Sequence, residues 1–429
     1  MRPRRLLLAT LLAVLCAGPA RATLTPLAVL VDGAPEPLAV LLPYGMLERG
    51  ADGGQPWLVC WQRFETASHG LPTGPRRILV GGADGPWNTN DDGCRFESTS
   101  GPADRRPVVG LHTPVPGGAE VLIAYDDGVA PASIARSTDG GITSLQAGTL
   151  AQFDASIEAM LGQGDVVWAV GRADTDGTLR VWRSVDRGAV FTPVDTSSAP
   201  ADAASLEAAA AEDAALWFWR GERLSRLALD GQWSDGGLAL PGTPRAALVS
   251  PDGALWAGTA RAGLTRRAPD GSASQVSSLP VSALAARGAK VWAAHPAEAP
   301  GDPLVSVTGD LGASWAVSFR APATVDQPPL CESLTEQRCA GALQTLLASL
   351  GVAAPAPDAP ADASAEDGGA GGGSGGCGAA PGEPPWAIAL AALLLAASGY
   401  ASASRRSRIR ASSSLSPRSA ARSSAVTSA

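Results

Sequence analysis

Ser184-Val185-Asp186-Arg187-Gly188-Ala189-Val190-Phe191 is the stretch from which the architecture can be worked out, because its pattern returns three more times in the 429-residue chain. Thr89-x-Asp91-x-Gly93-x-x-Phe96, Ser137-x-Asp139-x-Gly141 and Thr308-x-Asp310-x-Gly312-x-x-Trp315 fit the same template, with Ser144 standing where the second copy would carry its ring. The residue types describe a turn. A carboxylate can accept hydrogen bonds from the backbone N–H groups that follow it, glycine adopts positive φ without strain, and an aromatic ring tucks a hairpin against its sheet. These residues are therefore expected to be structural rather than catalytic.

Spacing turns the pattern into a count of repeating units. Asp91, Asp139 and Asp186 are 48 and 47 residues apart, and Asp310 follows Asp186 by 124, about three times 41, so two unmarked units belong in that gap. A second series runs alongside: apolar strands at Val166 to Val170, Leu216 to Trp219, Leu255 to Gly258 and Val291 to Ala294 carry Trp168, Trp217, Trp256 and Trp292, spaced 49, 39 and 36 residues apart. Asp230-Gly231, Asp252-Gly253 and Asp270-Gly271 supply hairpin signals between them. Strand-built repeats near forty residues predict propeller blades, six between about 65 and 322. The segment from Leu24 to Phe64 offers strands at Leu27 to Val31, Leu38 to Leu42 and Trp57 to Trp61 as a seventh blade, completed by the strand after Trp315 so that the ring closes. The expected fold is thus an all-β propeller of four-stranded blades over residues 23–325, with seven blades as the reading and six as the alternative.

The four turns resemble the Asp-box (BNR) repeat of sialidase-like propellers. That likeness implies a blade hairpin on the side away from the ligand face. Asp252-Gly253-Ala254-Leu255-Trp256-Ala257-Gly258-Thr259 with Gly263-Leu264 looks locally like the propeller repeat of two-component-type sensors, from which no sensing role is carried over.

Both termini read as addresses. Arg2, Arg4 and Arg5, an apolar run from Leu6 to Ala17, and Ala20-Arg21-Ala22 form the three parts of a secretory signal peptide over residues 1–22, with cleavage expected after Ala22. A lipoprotein reading through Cys16 is weakened by the bulky Leu15 before it. At the other end, Gly375-Gly376-Cys377-Gly378, Pro384-Pro385-Trp386, an apolar segment over 386–403 and Arg405, Arg406, Arg408 and Arg410 resemble the MYXO-CTERM sorting signal of myxobacterial exported proteins. The resemblance implies that a processing enzyme acts at the Cys377 region and leaves the protein on the outer envelope of a Gram-negative cell. The Ser/Ala/Arg-rich extension over 404–429 departs from that pattern, which usually ends soon after the arginines. Between propeller and tail, Cys331 to Leu350 is expected to hold a short amphipathic helix with Leu334, Leu343, Leu346, Leu347 and Leu350 on one side, within a segment over 326–352. Residues 353–385, rich in Ala, Pro, Asp and Gly, are expected to form a disordered stalk.

Charge excludes one class of partner. The chain holds 33 Lys and Arg against 41 Asp and Glu, and the four arginines of residues 1–22 together with six beyond residue 400 leave 23 bases facing all 41 acids, about −18. Such a surface cannot gather phosphates by counter-ion release, so nucleic acid is not an expected partner. Of six cysteines, Cys16 leaves with the signal peptide and Cys377 belongs to the tail. The simplest pairing of the rest joins Cys60 to Cys94 and Cys331 to Cys339, with the two other connectivities open.

No reaction can be read from the remaining residues. A sialidase needs an arginine cluster, a Tyr nucleophile and a separate acid, yet only Tyr44 and Tyr125 lie outside the tail and no F/Y-R-I-P stretch occurs. His69, His112 and His295 sit beside Gly, Thr or Pro in loop-like settings, no G-x-S-x-G is present, and no metal-ligand spacing appears. Asp91-Asp92 and Asp126-Asp127 are explained by hairpins, with a structural calcium at a turn or in the central channel the one cofactor left open. Trp57, Trp61, Trp87, Trp182, Trp219 and Trp233 include positions that could face outward and stack on sugars. The expectation is a monomeric, surface-displayed binding or scaffold module for a glycan or protein, partnered by the sorting enzyme and the envelope membrane. The alternative is an extracellular polysaccharide hydrolase or lyase of sialidase-like architecture.

Overall fold

Short apolar runs broken by Gly, Asp and Pro pair with their immediate neighbours, and the result is seven sheets of four antiparallel strands, each sheet formed from consecutive strands. The computed structural model describes residues 23–31, 39–43, 45–48, 57–60, 67–74, 77–90, 95–115, 117–128, 132–146, 155–199, 208–211, 215–323, 344–350 and 352. The blades run over 28–60, 69–98, 108–146, 155–194, 208–239, 244–277 and 283–320. Their first strands contact one another in order, and that of the seventh blade, Ala283–Arg287, meets that of the first, Ala28–Leu30. The ring is closed, which leaves no inner sheet edge to template aggregation.

The core is divided among the seams between blades. Leu30, Met46 and Val59 of the first blade pack with Ile78, Val80 and Phe96 of the second; Leu122 and Ile134 of the third pack with Ile157, Val167 and Phe191 of the fourth. Trp168, Trp217, Trp256 and Trp292 all lie in second strands and are buried in such clusters. In three successive blades an arginine on the third strand is the cross-strand partner of that tryptophan: Arg183 opposite Trp168, Arg226 opposite Trp217 and Arg266 opposite Trp256. Each guanidinium carbon stands 5.5 to 5.7 Å from the ring centroid, a cation–π geometry that lets a charged residue cap a buried ring.

The first blade departs from expectation. Its third strand is Gly45–Glu48, between two of the expected strands, and its fourth is Trp57–Cys60, so the blade is complete without borrowing. The strand after Trp315, Ala316–Arg320, is the outer strand of the seventh blade. Closure comes instead from backbone pairing of Leu24 with Ala297, each N–H reaching the other's carbonyl at 2.9 Å. A short helix at 344–349 presents Leu346 and Leu350 to the cluster shared by Val40, Leu42 and Leu47 of the first blade and Trp292, Val305 and Phe319 of the seventh. Leu334, Leu343, the stalk, the apolar segment over 386–403 and the basic tail lie outside the described residues, and no described helix is long and apolar enough to cross a membrane.

Candidate functional site

The S/T-x-D-x-G copies all fall between the third and fourth strands of their blades, and the three whose turns are described share one hydrogen-bond scheme. The Ser137 hydroxyl donates to Asp139 at 2.8 Å and accepts the Gly141 N–H at 2.8 Å. Ser184 does the same with Asp186 and Gly188, and Thr308 with Asp310 and Gly312. The carboxylate then caps the N–H four residues on, that of Thr143, Val190 or Ser314, at 2.9 Å. These donors favour the ionised form. Asp310 is lowered to about 2 by the Ser314 hydroxyl and N–H and then by Thr308. Asp186 is lowered by Ser184 first, and in Asp139 burial pushes upward but is outweighed by Thr143 and Ser137.

Each of these three turns is also a clamp on the blade before it. A Cβ on Gly141 would stand 2.6 Å from Leu79 Cδ1, and one on Gly312 2.8 Å from Val276 Cβ. Trp315 donates its ring N–H to the Val276 carbonyl at 2.9 Å and meets Trp256 edge-on at 6.3 Å. Ser144, in place of a ring, is 1% exposed. Its hydroxyl and its N–H both donate to the Ser100 carbonyl of the preceding blade, at 2.9 and 2.8 Å, so this turn is anchored by hydrogen bonds. In the first copy Thr89 and Phe96 are buried, while Asp91, Gly93 and Cys94 lie outside the described residues. Cys60 ends a strand, its side chain undescribed, and Cys331, Cys339 and Cys377 are likewise outside, so the expected disulfide pairings fall outside the described residues.

Several other candidates prove to be packing. Tyr125 is 1% exposed beneath Arg106. Asp126 accepts from Gly128 N–H at 2.8 Å and from Ile157 N–H of the next blade at 3.0 Å, and Asp127 pairs with Arg106 at 3.2 Å. No group of three His, Cys, Asp or Glu among the described residues could hold a metal ion. The histidines are not loop residues free in solvent: His69 opens a strand, His112 ends one, and His295 follows one at 3% exposure. His295 contacts the Pro280 carbonyl at 2.7 Å and the Ser306 hydroxyl at 3.0 Å, and burial lowers the pKa of all three. Trp219 is fully buried, Trp233 stacks on Phe218 at 5.3 Å, and Trp87 and Trp182 pack against seam clusters. None of these four forms an open sugar platform; the side chains of Trp57 and Trp61 are not described.

A concave site lies on the face opposite the motif turns, where loops join second to third strands and one blade to the next. A cleft of about 430 Å³ opens there between the sixth and seventh blades, lined by Ala260, Leu279 and Pro280 on one side, Pro296, Glu298 and Asp302 on the other, with Thr23 and the buried His295. One Asp302 oxygen accepts the N–H groups of Glu298 (3.0 Å) and Ala299 (2.9 Å), which shapes the loop. Among the described residues the Glu298 side chain has no hydrogen-bond or ion-pair partner, and the lining contains no Lys or Arg. The cleft therefore offers an apolar, proline-walled interior with an acidic rim. No motif signals it, because its walls come from positions 23, 260–303 and nothing between.

No protein-family model and no curated protein matches the chain. Solved structures share its fold. YCF48 bound to a D1 peptide aligns at 17% identity over 70% of this chain and 88% of that one, with a TM-score of 0.42. The GH74 xyloglucanase from Xanthomonas campestris aligns at 13% identity over 70% of this chain and 55% of that one, TM-score 0.48. The extracellular domain of the putative one component system BT4673 from B. thetaiotaomicron aligns at 11% over 65% and 39%, TM-score 0.46. The chain thus spans about half or less of the latter two. At such identities and scores the likenesses carry no argument about activity or ligand.

Proposed function

We propose that this chain is an exported β-propeller, displayed at the cell surface through its C-terminal tail, that binds a glycan or protein segment on the face opposite the motif turns and catalyses no reaction. The observation that carries the binding reading is the cleft between the sixth and seventh blades, concave and mostly apolar with a few polar groups at its rim, the form ligand sites commonly take. The described motif turns, by contrast, spend their hydroxyls and carboxylates on one another and on their own backbone. Export and anchoring rest on the three-part N-terminus, on Cys377 in its glycine-rich setting and on the apolar segment followed by arginines. A polysaccharide hydrolase is the competing reading, since such an enzyme needs two carboxylates flanking the scissile bond and the cleft holds Glu298 and Asp302.

A glycan array run beside a panel of glycoside substrates tests this. Binding without turnover, weakened by Glu298→Ala, is the expected result, and turnover would establish the hydrolase. Fractionation of cells carrying Cys377→Ala tests the anchor: release from the surface is expected, and unchanged display would refute it.

A further inference from the structure

The imidazole of His295 lines the cleft at 3% exposure, and its two ring nitrogens hold two different elements. Nδ1 contacts the Pro280 carbonyl at 2.7 Å, in the connection over 278–282 that joins the sixth blade to the seventh. Nε2 contacts the Ser306 hydroxyl at 3.0 Å, in the strand Pro303–Thr308. We propose that His295 is a pH-sensitive pin: uncharged, it ties the Pro280 wall of the cleft to the seventh blade, and in acid its protonation lets that wall loosen. The pin acts on the cleft whether or not a ligand occupies it.

Hydrogen-bond chemistry fixes the tautomer. A carbonyl can only accept, so Nδ1 carries the ring proton and the bare Nε2 accepts from the Ser306 hydroxyl. A second proton has to go on Nε2, where the hydroxyl must turn about to accept it. Among the described residues the Ser306 hydroxyl has no other partner, and Ser306 is 3% exposed, so its own hydrogen is then buried unpaired. Burial lowers the His295 pKa from the ordinary 6.5, outweighing the Pro280 bond, which favours the cation. The charged groups at the cleft are Glu298 and Asp302, on the loop after His295, and Arg261, beside Ala260. The 278–282 connection and the strand Pro303–Thr308 carry none. Asp302 accepts the Glu298 and Ala299 N–H groups and Glu298 is exposed, so neither carboxylate is hydrogen-bonded to the ring. Once the wall swings clear, the ring titrates near 6.5. The loosened state therefore gains on the pinned one as pH falls below that value, by up to about 30-fold at about pH 5.

Ring-nitrogen NMR and amide hydrogen exchange on the full chain test this. The neutral ring is expected to carry its proton on Nδ1, and a proton on Nε2 would overturn the pin. Val281 N–H donates to the Thr259 carbonyl and Ser282 N–H to that of Ala294, both at 2.9 Å, whereas Leu240 N–H reports on the fifth blade. Between about pH 7.5 and about pH 5, after correction for intrinsic exchange, Val281 and Ser282 are expected to lose several-fold more protection than Leu240. An equal loss at all three would assign the change to whole-fold opening and overturn the pin. His295→Asn keeps a side-chain donor for Pro280 but has no group that titrates in this range, so it is expected to abolish the excess loss. An excess that survives the substitution would place the titrating group elsewhere. The tautomer and the contrast with Leu240 are read on the unaltered chain, so both stand even where the variant fails to fold.

Discussion

Gly312 and Val276 belong to neighbouring blades, yet a single methyl on the first would stand 2.8 Å from Cβ of the second. The glycine is thus required twice, by its φ of +92° and by the approach of the sixth blade. Gly301, in the same blade, has φ +86° but nothing within 4 Å of a Cβ. Gly301→Ala is expected to cost about 1–2 kcal/mol from the left-handed backbone alone. Gly312→Ala should cost about 2–4 kcal/mol once overpacking is added. Denaturant titration of both variants checks this, and equal losses would remove the clamp.

The second motif turn makes the opposite demand from its template. Ser144→Ala is expected to lose about 1 kcal/mol with its hydroxyl bond to Ser100. Ser144→Phe, which restores the aromatic of the pattern, should cost more than that, because the backbone at Gly101 crosses directly over position 144. A more stable Ser144→Phe protein would contradict the anchoring role.

Leu311 sits at φ +61° and is 50% exposed, a left-handed residue that buries little. Leu311→Gly is expected to raise stability by about 0.5–1 kcal/mol, relief of backbone strain exceeding the entropy of a freer unfolded chain. Thermal melts decide it, and a loss would show that Leu311 makes a contact of its own.

Acid acts in two windows. The buried histidines are held neutral, their folded pKa values below the ordinary 6.5, so the unfolded chain binds more protons as pH falls below that value and stability declines there. Asp310, with a folded pKa of about 2, contributes stability that is complete above the unfolded aspartate range and is lost as pH drops from about 4 towards 2. Asp310→Asn should flatten the melting-temperature profile in the lower window and leave the upper one unchanged.

Seven blades were legible because tryptophans and turns repeat along the chain at blade length. What escaped was whatever depends on a neighbour distant in sequence. Gly45–Glu48 is a separate case, a local hairpin partner of Ala39–Leu42 in a run without polar residues until Glu48, where no alternation marks a strand and no Asn-Gly or Asp-Gly marks the hairpin. His112, flanked by Leu111 and Thr113, reads as a loop residue, yet Gly162 of the next blade lies against its ring. Ser144 reads as a lost anchor because Ser100 is 44 residues away. Thr23 joins the cleft only where the two ends of the ring meet, although its other walls, Ala260 to Pro303, are neighbours in sequence.

That meeting has an evolutionary side. Each blade owns all four of its strands, and the ends of the ring are joined by one backbone bridge at Leu24 and Ala297 and a leucine-bearing helix laid across the same junction. A propeller that shares a blade between its termini cannot shed a repeat at either end without unpicking that sheet. Here each sheet is encoded by one continuous stretch, and the fastening touches only the first and last blades.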